Sequence, residues 1–257
     1  MATREQHFET IQRMTARIVA TNPAGRSLLL IGGFRYRLLD RSARVSMDVD
    51  YHWEGDLAQK QADLLRLCRR ILLPQARREL GYDGAAELPT GPDAESPSAR
   101  FVELRFWKLT VGGSQILLPL DITRIPCLDP ATIRTAEGIV YPTPSDPDLI
   151  EAKVIAVFNR LFMAHRDFVD IFLFGDRLTP DSPRRLSEKF KRLQIDAGSV
   201  RKRLDDLEQN VEYHSRSVQG VIDGQLEPAT TAQINAGGGG RAVFDRALHL
   251  IQANVRL

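Results

Sequence analysis

The chain has 257 residues, with 35 lysines and arginines, 33 aspartates and glutamates, a formal net charge of +2 and two cysteines. Apolar residues make up 43% of the chain and charged residues 26%, which is ordinary for a soluble globular protein. These proportions exclude a disordered tail, a collagen-like fibre and a disulfide scaffold. Cys68 and Cys127 lack CxxC spacing, which argues against structural zinc and favours a reducing compartment.

The sequence gives no sign of a membrane span, since no stretch reaches the roughly 18 apolar residues that one requires. Residues 1–13 are charged and lack the apolar core of a signal peptide. We therefore expect a cytoplasmic protein without a membrane partner. The balanced total charge by itself argues against a nucleic-acid partner, so the local distribution of charge has to be considered.

The N-terminal part of the chain alternates helical and strand-like patterns. Apolar residues at helical spacing predict an N-terminal amphipathic helix: Phe8, Ile11, Met14, Ile18 and Val19. An apolar run at residues 27–31 ends at Gly32 and Gly33, which predicts a buried strand entering a tight turn before a short helix at residues 34–39. Such a turn lets backbone amides approach phosphate closely, although hairpins and helix caps also use paired glycines.

The next elements are predicted from breaks in the pattern. Residues 57–80 have a helical pattern that Pro74 is expected to kink or divide. Residues 83–99 are rich in Gly, Pro, Ala and acidic residues and lack periodicity, which predicts a solvent loop. Two strands are predicted at residues 100–111 and 114–123, and the Gly-Gly pair between them is typical of a hairpin.

The second half of the chain has a helical pattern almost throughout, from residue 148 onward. Consecutive glycines within residues 236–241 predict a flexible break before a final helix that begins at about Ala242. The sequence therefore predicts an α+β protein with two domains. A mixed sheet-and-helix domain would span residues 1–147, and a helical domain would span residues 148–257.

The most informative stretch is the strand predicted at residues 45–53. Because strand side chains alternate between faces, Ser46, Asp48 and Asp50 are expected to project to one side. The other side would take Val45, Met47, Val49 and Tyr51. Two carboxylates on one face repel each other unless a cation lies between them, and Mg²⁺ prefers such oxygen ligands together with substrate phosphates. The alternative is that Asp48 and Asp50 only form the polar face of a half-exposed strand.

A third carboxylate is predicted on another strand. Ile116, Leu118, Leu120 and Ile122 define an apolar face and leave Asp121 on the opposite one. If this strand pairs near residues 45–53, Asp121 can ligate a second metal ion or take the proton from an attacking hydroxyl. Pro119 lacks an amide donor, which predicts an edge strand or a bulge.

The helical half offers a second candidate group. Lys153 and Arg160 are seven residues apart, so two helical turns would place them on one face about 10 Å apart. This pair either clamps triphosphate oxygens or belongs to a solvated helix face. Asp167 and Asp170 are adjacent on the next helix. Asp167 could cap that helix, and Asp170 could hold Arg166 or Lys153 in place.

Positive charge is concentrated at residues 183–203, where eight cations face only Glu188 and Asp196, a local excess of six. The cations are Arg184, Arg185, Lys189, Lys191, Arg192, Arg201, Lys202 and Arg203. Such a segment could grip an RNA backbone electrostatically, or it could be a solvated helix face with a few ion pairs. The near-neutral total charge therefore excludes nothing about RNA.

The order of these motifs resembles a known group of enzymes. An apolar strand, a Gly-Gly turn, a short helix, Arg44-x-Ser46-x-Asp48-x-Asp50 and a distant Asp121 are similar to the nucleotidyltransferase superfamily. More narrowly, the sequence resembles the AbiEii-type toxins of abortive-infection and toxin–antitoxin systems, which include the MenT toxins. The resemblance covers about residues 28–174 and departs from the family at Phe34-Arg35, where small residues are usual.

The resemblance implies a nucleotidyltransferase-like mixed sheet with flanking helices, and a helical half that completes the active-site cleft. It also implies a toxin that uses Mg²⁺ (or Mn²⁺) to transfer nucleotides from an NTP to RNA, the tRNA 3′ end above all, so that translation stops. A cognate antitoxin would be a partner.

The site residues implied by the resemblance fall into three sets. The carboxylates Asp48, Asp50 and Asp121 would be catalytic and hold metal, with Lys153 as a further catalytic residue that contacts the nucleotide phosphates. The nucleotide-binding set is Gly32, Gly33, Arg35, Ser46, Lys153, Arg160 and Asp170, of which Asp170 would support the site. RNA would be bound by Arg184, Arg185, Lys189, Arg201, Lys202 and Arg203.

Two other classes of function remain open. One is a nucleotidyltransferase that modifies a small molecule or a protein, which would share the carboxylates but not need the basic segment. The other is a non-catalytic interaction module on the same fold, which predicts no incorporation of labelled NTP at any Mg²⁺ concentration.

Overall fold

The computed structural model describes residues 3–89, 99–108 and 115–256. The chain divides into two compact units, each with its own buried apolar core. Unit 1 comprises Met1–Ser42, Ser46–Ile125 and Ala131–Pro144. Unit 2 comprises Ala43–Val45, Pro126–Pro130 and Ser145–Leu257. The secondary structure confirms the predicted α+β class, with the sheets in unit 1 and helices throughout most of unit 2.

Unit 1 is built on a mixed sheet. Its strands are β1 (Leu29–Ile31), β2 (Val49–His52), β3 (Asp83–Glu87), β4 (Ala99–Trp107) and β5 (Ile116–Thr123). They lie in the order β1-β2-β5-β4-β3, with β2 and β5 parallel and the other neighbours antiparallel. A separate antiparallel pair is formed by β6 (Thr132–Ala136) and β7 (Ile139–Thr143).

In the described part of unit 1 the α-helices are α1 (Arg4–Thr21), α2 (Gly32–Asp40), α3 (Leu57–Leu67) and α4 (Leu73–Leu80). The predicted amphipathic helix is confirmed in α1, whose apolar stripe is buried. The predicted division near Pro74 is also confirmed, because a π-helical turn at Cys68–Leu72 joins α3 to α4. Pro74 lies in the first turn of α4, where a missing amide hydrogen is tolerated.

Two predictions about strands are wrong. Residues 83–87 form β3 and not a solvent loop, because pairing with β4 overrides the low strand propensity of Gly84, Ala85 and Ala86. The strand with Asp50 is also shorter than predicted, since β2 begins at Val49. Val45 and Met47 are consequently exposed and do not share the buried face. The predicted Gly-Gly hairpin at residues 112–113 lies outside the described residues.

Pro119 does not mark an edge strand, because β5 lies between β2 and β4. The parallel partner β2 pairs with β5 only from Leu120 onward, so Pro119 precedes that contact. The predicted alternation along β5 is confirmed: Ile116, Leu118, Leu120 and Ile122 are buried, whereas Pro119 and Asp121 are only partly buried.

The helices of unit 2 are α5 (Asp146–Asn159), α6 (Arg166–Phe174), α7 (Ser182–Arg192), α8 (Ala197–Gln209), α9 (Val211–Gln225), α10 (Pro228–Ala236) and α11 (Gly239–Asn254). The predicted glycine break is confirmed, although the final helix begins at Gly239 and not at Ala242. Gly238 there has a φ of +106°, which favours glycine. None of the helices in the described residues is both long and apolar enough to cross a membrane.

Candidate functional site

Asp50 and Asp121 are neighbours in the sheet of unit 1. In the parallel pair of β2 and β5, the Cα atom of Asp50 lies opposite that of Asp121. Paired residues on adjacent strands project to the same face, and the other face, with Val49 and Leu120, is buried in the core. Strand pairing therefore brings together two carboxylates that are 71 positions apart (121 − 50).

Gly32 begins α2 in direct contact with Asp50. Its φ is +75°, in the left-handed region that favours glycine, and a Cβ atom built there would lie 1.8 Å from Oδ2 of Asp50. Any larger residue would collide with the carboxylate. The first turn of a helix also has backbone N–H donors that the helix does not use, and an anion is favoured beside them. Glycine is thus required at this position for its backbone angle and for the approach of Asp50.

Ser46 and Asp48 lie in the bend that precedes β2. The Ser46 hydroxyl donates a hydrogen bond of 2.6 Å to Oδ1 of Asp48. The Gln12 side chain of α1 donates to the backbone oxygens of Ser46 and Asp48, at 3.0 Å and 3.1 Å. These contacts give the bend a defined conformation, and both side chains are largely buried.

The donor set in unit 1 suits a metal ion that arrives with a nucleotide. Among the described residues, no group of three or more His, Cys, Asp or Glu side chains is placed to hold a metal ion. Mg²⁺ usually takes only one or two carboxylates in addition to water and substrate phosphates. Asp50 could meet that requirement either with Asp121, which lies beside it on β5, or with Asp48 in the bend before β2, and the ligand roles of all three stay predictions.

Arg35 does not lie at a nucleotide surface. Its side chain is fully buried in unit 1, where it forms an ion pair with Asp40 and donates to Oγ1 of Thr143 at 3.2 Å. The Thr143 hydroxyl in turn donates to the backbone oxygen of Leu30 in β1 at 2.8 Å. Arg35 is therefore a buried cation of unit 1, and this burial argues against its prediction as a nucleotide contact.

The predicted polar residues of unit 2 form one ion-pair cluster, here called the Asp170 cluster, which consists of Arg44, Lys153, Arg160, Asp167 and Asp170. Lys153 Nζ lies 3.0 Å from Asp167 and 2.8 Å from Asp170. Arg160 binds the other oxygen of Asp167 at 2.7 Å, so Asp167 binds cations and does not cap α6. Arg44 binds Asp170 through two nitrogens, at 2.5 Å and 3.1 Å.

Two members of the Asp170 cluster, Lys153 and Asp170, keep their charges in the folded protein. Burial opposes ionisation of Lys153, but Asp170 and Asp167 outweigh it and raise the pKa of Lys153. Burial likewise opposes the Asp170 carboxylate, but Lys153 and Arg44 outweigh it and lower the pKa of Asp170. Three cations against two carboxylates leave the cluster one positive charge in excess, and the Lys153 side chain is 13% exposed. An anion can therefore be attracted to it.

Two of the predicted RNA-binding residues are buried in a different cluster of unit 2, here called the Asp148 cluster, which consists of Asp129, Asp148, Glu151, Arg185 and Lys189. Arg185 binds Asp129 at 2.8 Å, Asp148 at 2.7 Å and Glu151 at 2.8 Å. Lys189 is fully buried and binds Asp148 at 2.6 Å and Glu151 at 2.7 Å. These contacts remove Arg185 and Lys189 from any RNA-facing surface.

The other predicted RNA-binding residues lie at the surface. Arg184 is exposed and binds Asp181, whereas Arg201 and Lys202 on α8 are exposed. Arg203 donates to the backbone oxygen of Arg160 at 3.0 Å. The basic segment is thus divided: Arg185 and Lys189 of α7 are structural, and its other predicted RNA-binding cations are accessible.

Comparison with solved structures identifies the fold. The chain resembles a candidate nucleotidyltransferase from H. pylori with a TM-score of 0.58 and 14% identity, over 98% of this chain and 95% of that one. It also resembles MenT4, a nucleotidyltransferase toxin from Mycobacterium tuberculosis, with a TM-score of 0.56 and 16% identity, over 96% of this chain and 84% of that one. The chain has a nucleotidyltransferase fold. No family model and no curated protein sequence matches it.

Within this nucleotidyltransferase fold, the contact between Arg44 and Asp170 is the feature that the sequence reasoning missed. The segment Ala43–Val45 belongs to unit 2, where Val45 N donates to Gln225 O at 2.7 Å and Glu227 N donates to Ala43 O at 3.0 Å. The sequence offers one sign of this contact: Arg44 belongs to the Arg44-x-Ser46 motif, but the motif itself gives it no partner.

Proposed function

We propose that the protein is an Mg²⁺-dependent nucleotidyltransferase toxin that transfers nucleotides from an NTP to the 3′ end of tRNA and so blocks translation. The observation that carries the proposal is the group formed in unit 1 by the Gly32 turn, Asp50 and Asp121. The fold, shared with a nucleotidyltransferase toxin, supports the reaction class. The acceptor and a cognate antitoxin are suggested by the resemblance of the sequence to AbiEii-type toxins.

In the proposed reaction, the 3′ hydroxyl of the acceptor attacks the α-phosphate of the NTP. The bond between the α- and β-phosphates breaks, pyrophosphate leaves, and Asp121 accepts the hydroxyl proton. Asp48 and Asp50 would hold Mg²⁺ (or Mn²⁺), which neutralises charge on the phosphates when it is bound. The Gly32-Gly33 turn would offer backbone donors to the triphosphate, and Ser46 would hold Asp48 in place.

Lys153 is proposed to bind the nucleotide phosphates, with Arg160 beside it. An ammonium group has three N–H donors, and Asp167 and Asp170 account for two of those on Lys153. We assign the third to a phosphate oxygen. Asp170 would act indirectly, by fixing both Lys153 and Arg44.

The proposed function is tested by incubating the protein with total tRNA, Mg²⁺ and each labelled NTP in turn. We expect at least one NTP to label RNA, and we expect EDTA, Asp50→Asn and Asp121→Asn each to abolish the product. If the folded protein labels no RNA with any nucleotide, with either Mg²⁺ or Mn²⁺, the proposal fails.

Two glycines provide a matched test of the contact that carries the proposal. Gly32 and Gly138 have nearly the same backbone angle, φ +75° and +74°, but a Cβ atom on Gly138 meets nothing within 4 Å. Gly138→Ala should therefore show only the backbone cost, about 1–2 kcal/mol of stability, with activity retained. Gly32→Ala should abolish transfer, since the new methyl group collides with Asp50. Equal activity of the two variants would show that Gly32 has no role in the site.

A second candidate function is transfer to a small molecule or a protein side chain. The burial of Arg185 and Lys189 favours it, because the basic segment then has fewer cations for RNA than its sequence suggests. Charge reversal at Arg201 and Lys202 separates the two. Transfer to RNA should weaken strongly in the doubly reversed variant, whereas transfer to a small acceptor should be unchanged.

A further inference from the structure

The segment between α5 and α6 exposes two large apolar side chains side by side. Leu161 is 84% exposed and Phe162 is 81% exposed. The helical pattern places Leu161 on the apolar face of α5, but α5 ends at Asn159, so neither residue joins the core. Adjacent exposed apolar residues of this size are typical of a binding surface.

This segment is held at both ends. At one end, Arg203 of α8 donates to the backbone oxygen of Arg160, and the Arg160 side chain binds Asp167. At the other end, His165 lies 3.0 Å from Nδ1 of His214, and its ring is 5.8 Å from that of Tyr213. Leu161 and Phe162 are therefore presented to solvent by a segment that is anchored at both ends.

The helices that anchor the segment carry exposed cations and an exposed aromatic ring, and Asp206 of α8 lies 3.5 Å from the anchoring His214. Arg203, which donates a hydrogen bond to the Arg160 carbonyl, directly follows the exposed Arg201 and Lys202 in the sequence of α8. Tyr213, beside His165, is 58% exposed. Exposed aromatic rings combined with cations are the usual means of binding single-stranded nucleic acid, because bases stack on the rings while the cations follow the phosphates.

We propose that residues 160–165 and the start of α8 form a platform for single-stranded RNA, on which Phe162 stacks a base of the acceptor strand. Arg201 and Lys202 contact the backbone phosphates of that strand. The proposal rests on the proposed function only for the identity of the acceptor. The exposed Arg201 and Lys202, on the helix whose Arg203 binds the Arg160 carbonyl, favour RNA over an apolar protein partner.

The platform is tested by RNA binding without any NTP. The probe is a short single-stranded RNA ending in CCA, and fluorescence anisotropy gives its affinity. We expect Phe162→Ala to weaken binding about 5- to 100-fold, the usual effect of losing one stacked base. Because Phe162 is exposed, Phe162→Ala should fold like wild type, and circular dichroism of the variant checks this.

A tryptophan reporter separates stacking from charge. In Phe162→Trp, we expect the emission of the new indole to be quenched by the RNA but not by inorganic polyphosphate, which has charge without bases. Arg201→Gln with Lys202→Gln should lower the dependence of affinity on salt by a slope of about 1.4. The control with the same change in net charge is Arg26→Gln with Arg70→Gln, both exposed in unit 1, which should leave the slope unchanged.

The possible outcomes distinguish the platform from the proposed function. If Phe162→Ala lowers RNA affinity but wild-type protein transfers no nucleotide, the platform stands and the proposed function fails. If transfer occurs and Phe162→Ala changes neither RNA affinity nor the KM for tRNA, the platform is wrong. It is also wrong if Leu161→Ser with Phe162→Ser abolishes self-association of the protein while RNA affinity is retained, because the segment is then a protein interface.

Discussion

The two ion-pair clusters of unit 2 use the same residue types for different purposes. In the Asp148 cluster, three carboxylates surround two cations, and Asp148, Glu151 and Lys189 are fully buried. In the Asp170 cluster, three cations surround two carboxylates, and the side chains of Lys153 and Arg160 are 13% and 41% exposed. The first cluster has one negative charge in excess, and its side chains are buried except that of Asp129, which is 34% exposed. The second is one positive charge in excess and accessible.

The comparison shows that burial and the sign of the residual charge decide which cations can act on a ligand. Lys189 and Lys153 each bind two carboxylates at similar distances. Only Lys153 combines solvent access with a surrounding excess of positive charge, which is what a phosphate group requires. Substitutions of Lys189 and Lys153 should therefore affect stability and activity differently in the two clusters.

The largest expected effect is on stability, from Lys189→Met. This change leaves three carboxylates around the single cation Arg185 in a buried site, and removing one partner of a buried ion pair typically costs about 3–5 kcal/mol. Urea unfolding of the full chain measures the loss. The control is Lys191→Met, an exposed position on the same helix, which should stay within about 0.5 kcal/mol of wild type. Equal stability of the two variants would show that the Asp148 cluster is not structural.

Lys153→Met should lower nucleotide transfer strongly and stability less than Lys189→Met does. It leaves two cations with two carboxylates, so the loss of stability should be about 1.5–3 kcal/mol, the usual value for hydrogen bonds to charged groups and less than in Lys189→Met. Transfer of nucleotide should fall about 100-fold or more, because the donor proposed for the nucleotide phosphates is lost. Lys153→Arg, which keeps the charge, should recover part of the rate. If Lys153→Met destabilises the protein as much as Lys189→Met does, or leaves the rate unchanged, the two clusters do not differ in the way described.

The sequence was informative where the controlling contacts are local. The apolar spacing of α1 and the alternation along β5 follow from the period of each element, so both could be predicted. The step from β1 through Gly32 into α2 was likewise expected from paired glycines after an apolar run. The sequence predicts that Asp121 joins Asp50 only if their strands pair. The observed pairing of β2 with β5, in which Asp50 lies opposite Asp121, fulfils that condition.

The roles of individual cations could not be predicted, because their partners are far away in the sequence. Lys189 and Asp148 are 41 positions apart, and Arg44 and Asp170 are 126 apart. A count of charge within residues 183–203 contains neither Asp148 nor Glu151, so it overestimates the positive charge that reaches solvent. Local charge patterns identify candidates for binding, but tertiary ion pairs decide which of them are available.

The dependence of stability on pH should report on Asp148 and Asp170 at acid pH and on Lys153 at alkaline pH. Asp148 and Asp170 both have lowered pKa values, because the cations and backbone amides around them outweigh the effect of burial. Their unfolded pKa is about 3.9, so the stability that they contribute is present above about pH 4. It is lost as the pH falls through the folded values.

Lys153 has a raised pKa, against an unfolded value of about 10.4. Its contribution is therefore present below about pH 10 and is lost as the pH rises through the folded value. Urea midpoints measured from pH 9 to pH 11.5 should fall less steeply in Lys153→Met than in wild type, while Lys191→Met should follow wild type. An identical slope in Lys153→Met would mean that the carboxylates of the Asp170 cluster do not hold the charge on Lys153.

The smallest effect concerns the two cysteines, which report on the Asp148 cluster without disturbing it. Cys127 lies in the segment Pro126–Pro130, where the backbone amides of Leu128 and Asp129 both donate to Asp148 at 3.0 Å. Cys68 is buried in unit 1, and burial raises the pKa of its thiol to about 12. Because the thiolate is the reactive form, iodoacetamide at pH 8 should modify Cys127 faster than Cys68.

The rate of labelling at Cys127 then reports how strongly the Asp148 cluster restrains the segment Pro126–Pro130. Asp129→Asn weakens the contact with Arg185 and should speed modification of Cys127 several-fold, with Cys68 unchanged. Asp167→Asn, the matched change in the Asp170 cluster, should leave the rate at Cys127 as it is in wild type. Mass spectrometry of the alkylated peptides gives both rates in one experiment. Equal acceleration by the two substitutions would indicate general loosening of unit 2, and the two clusters could then not be treated as independent.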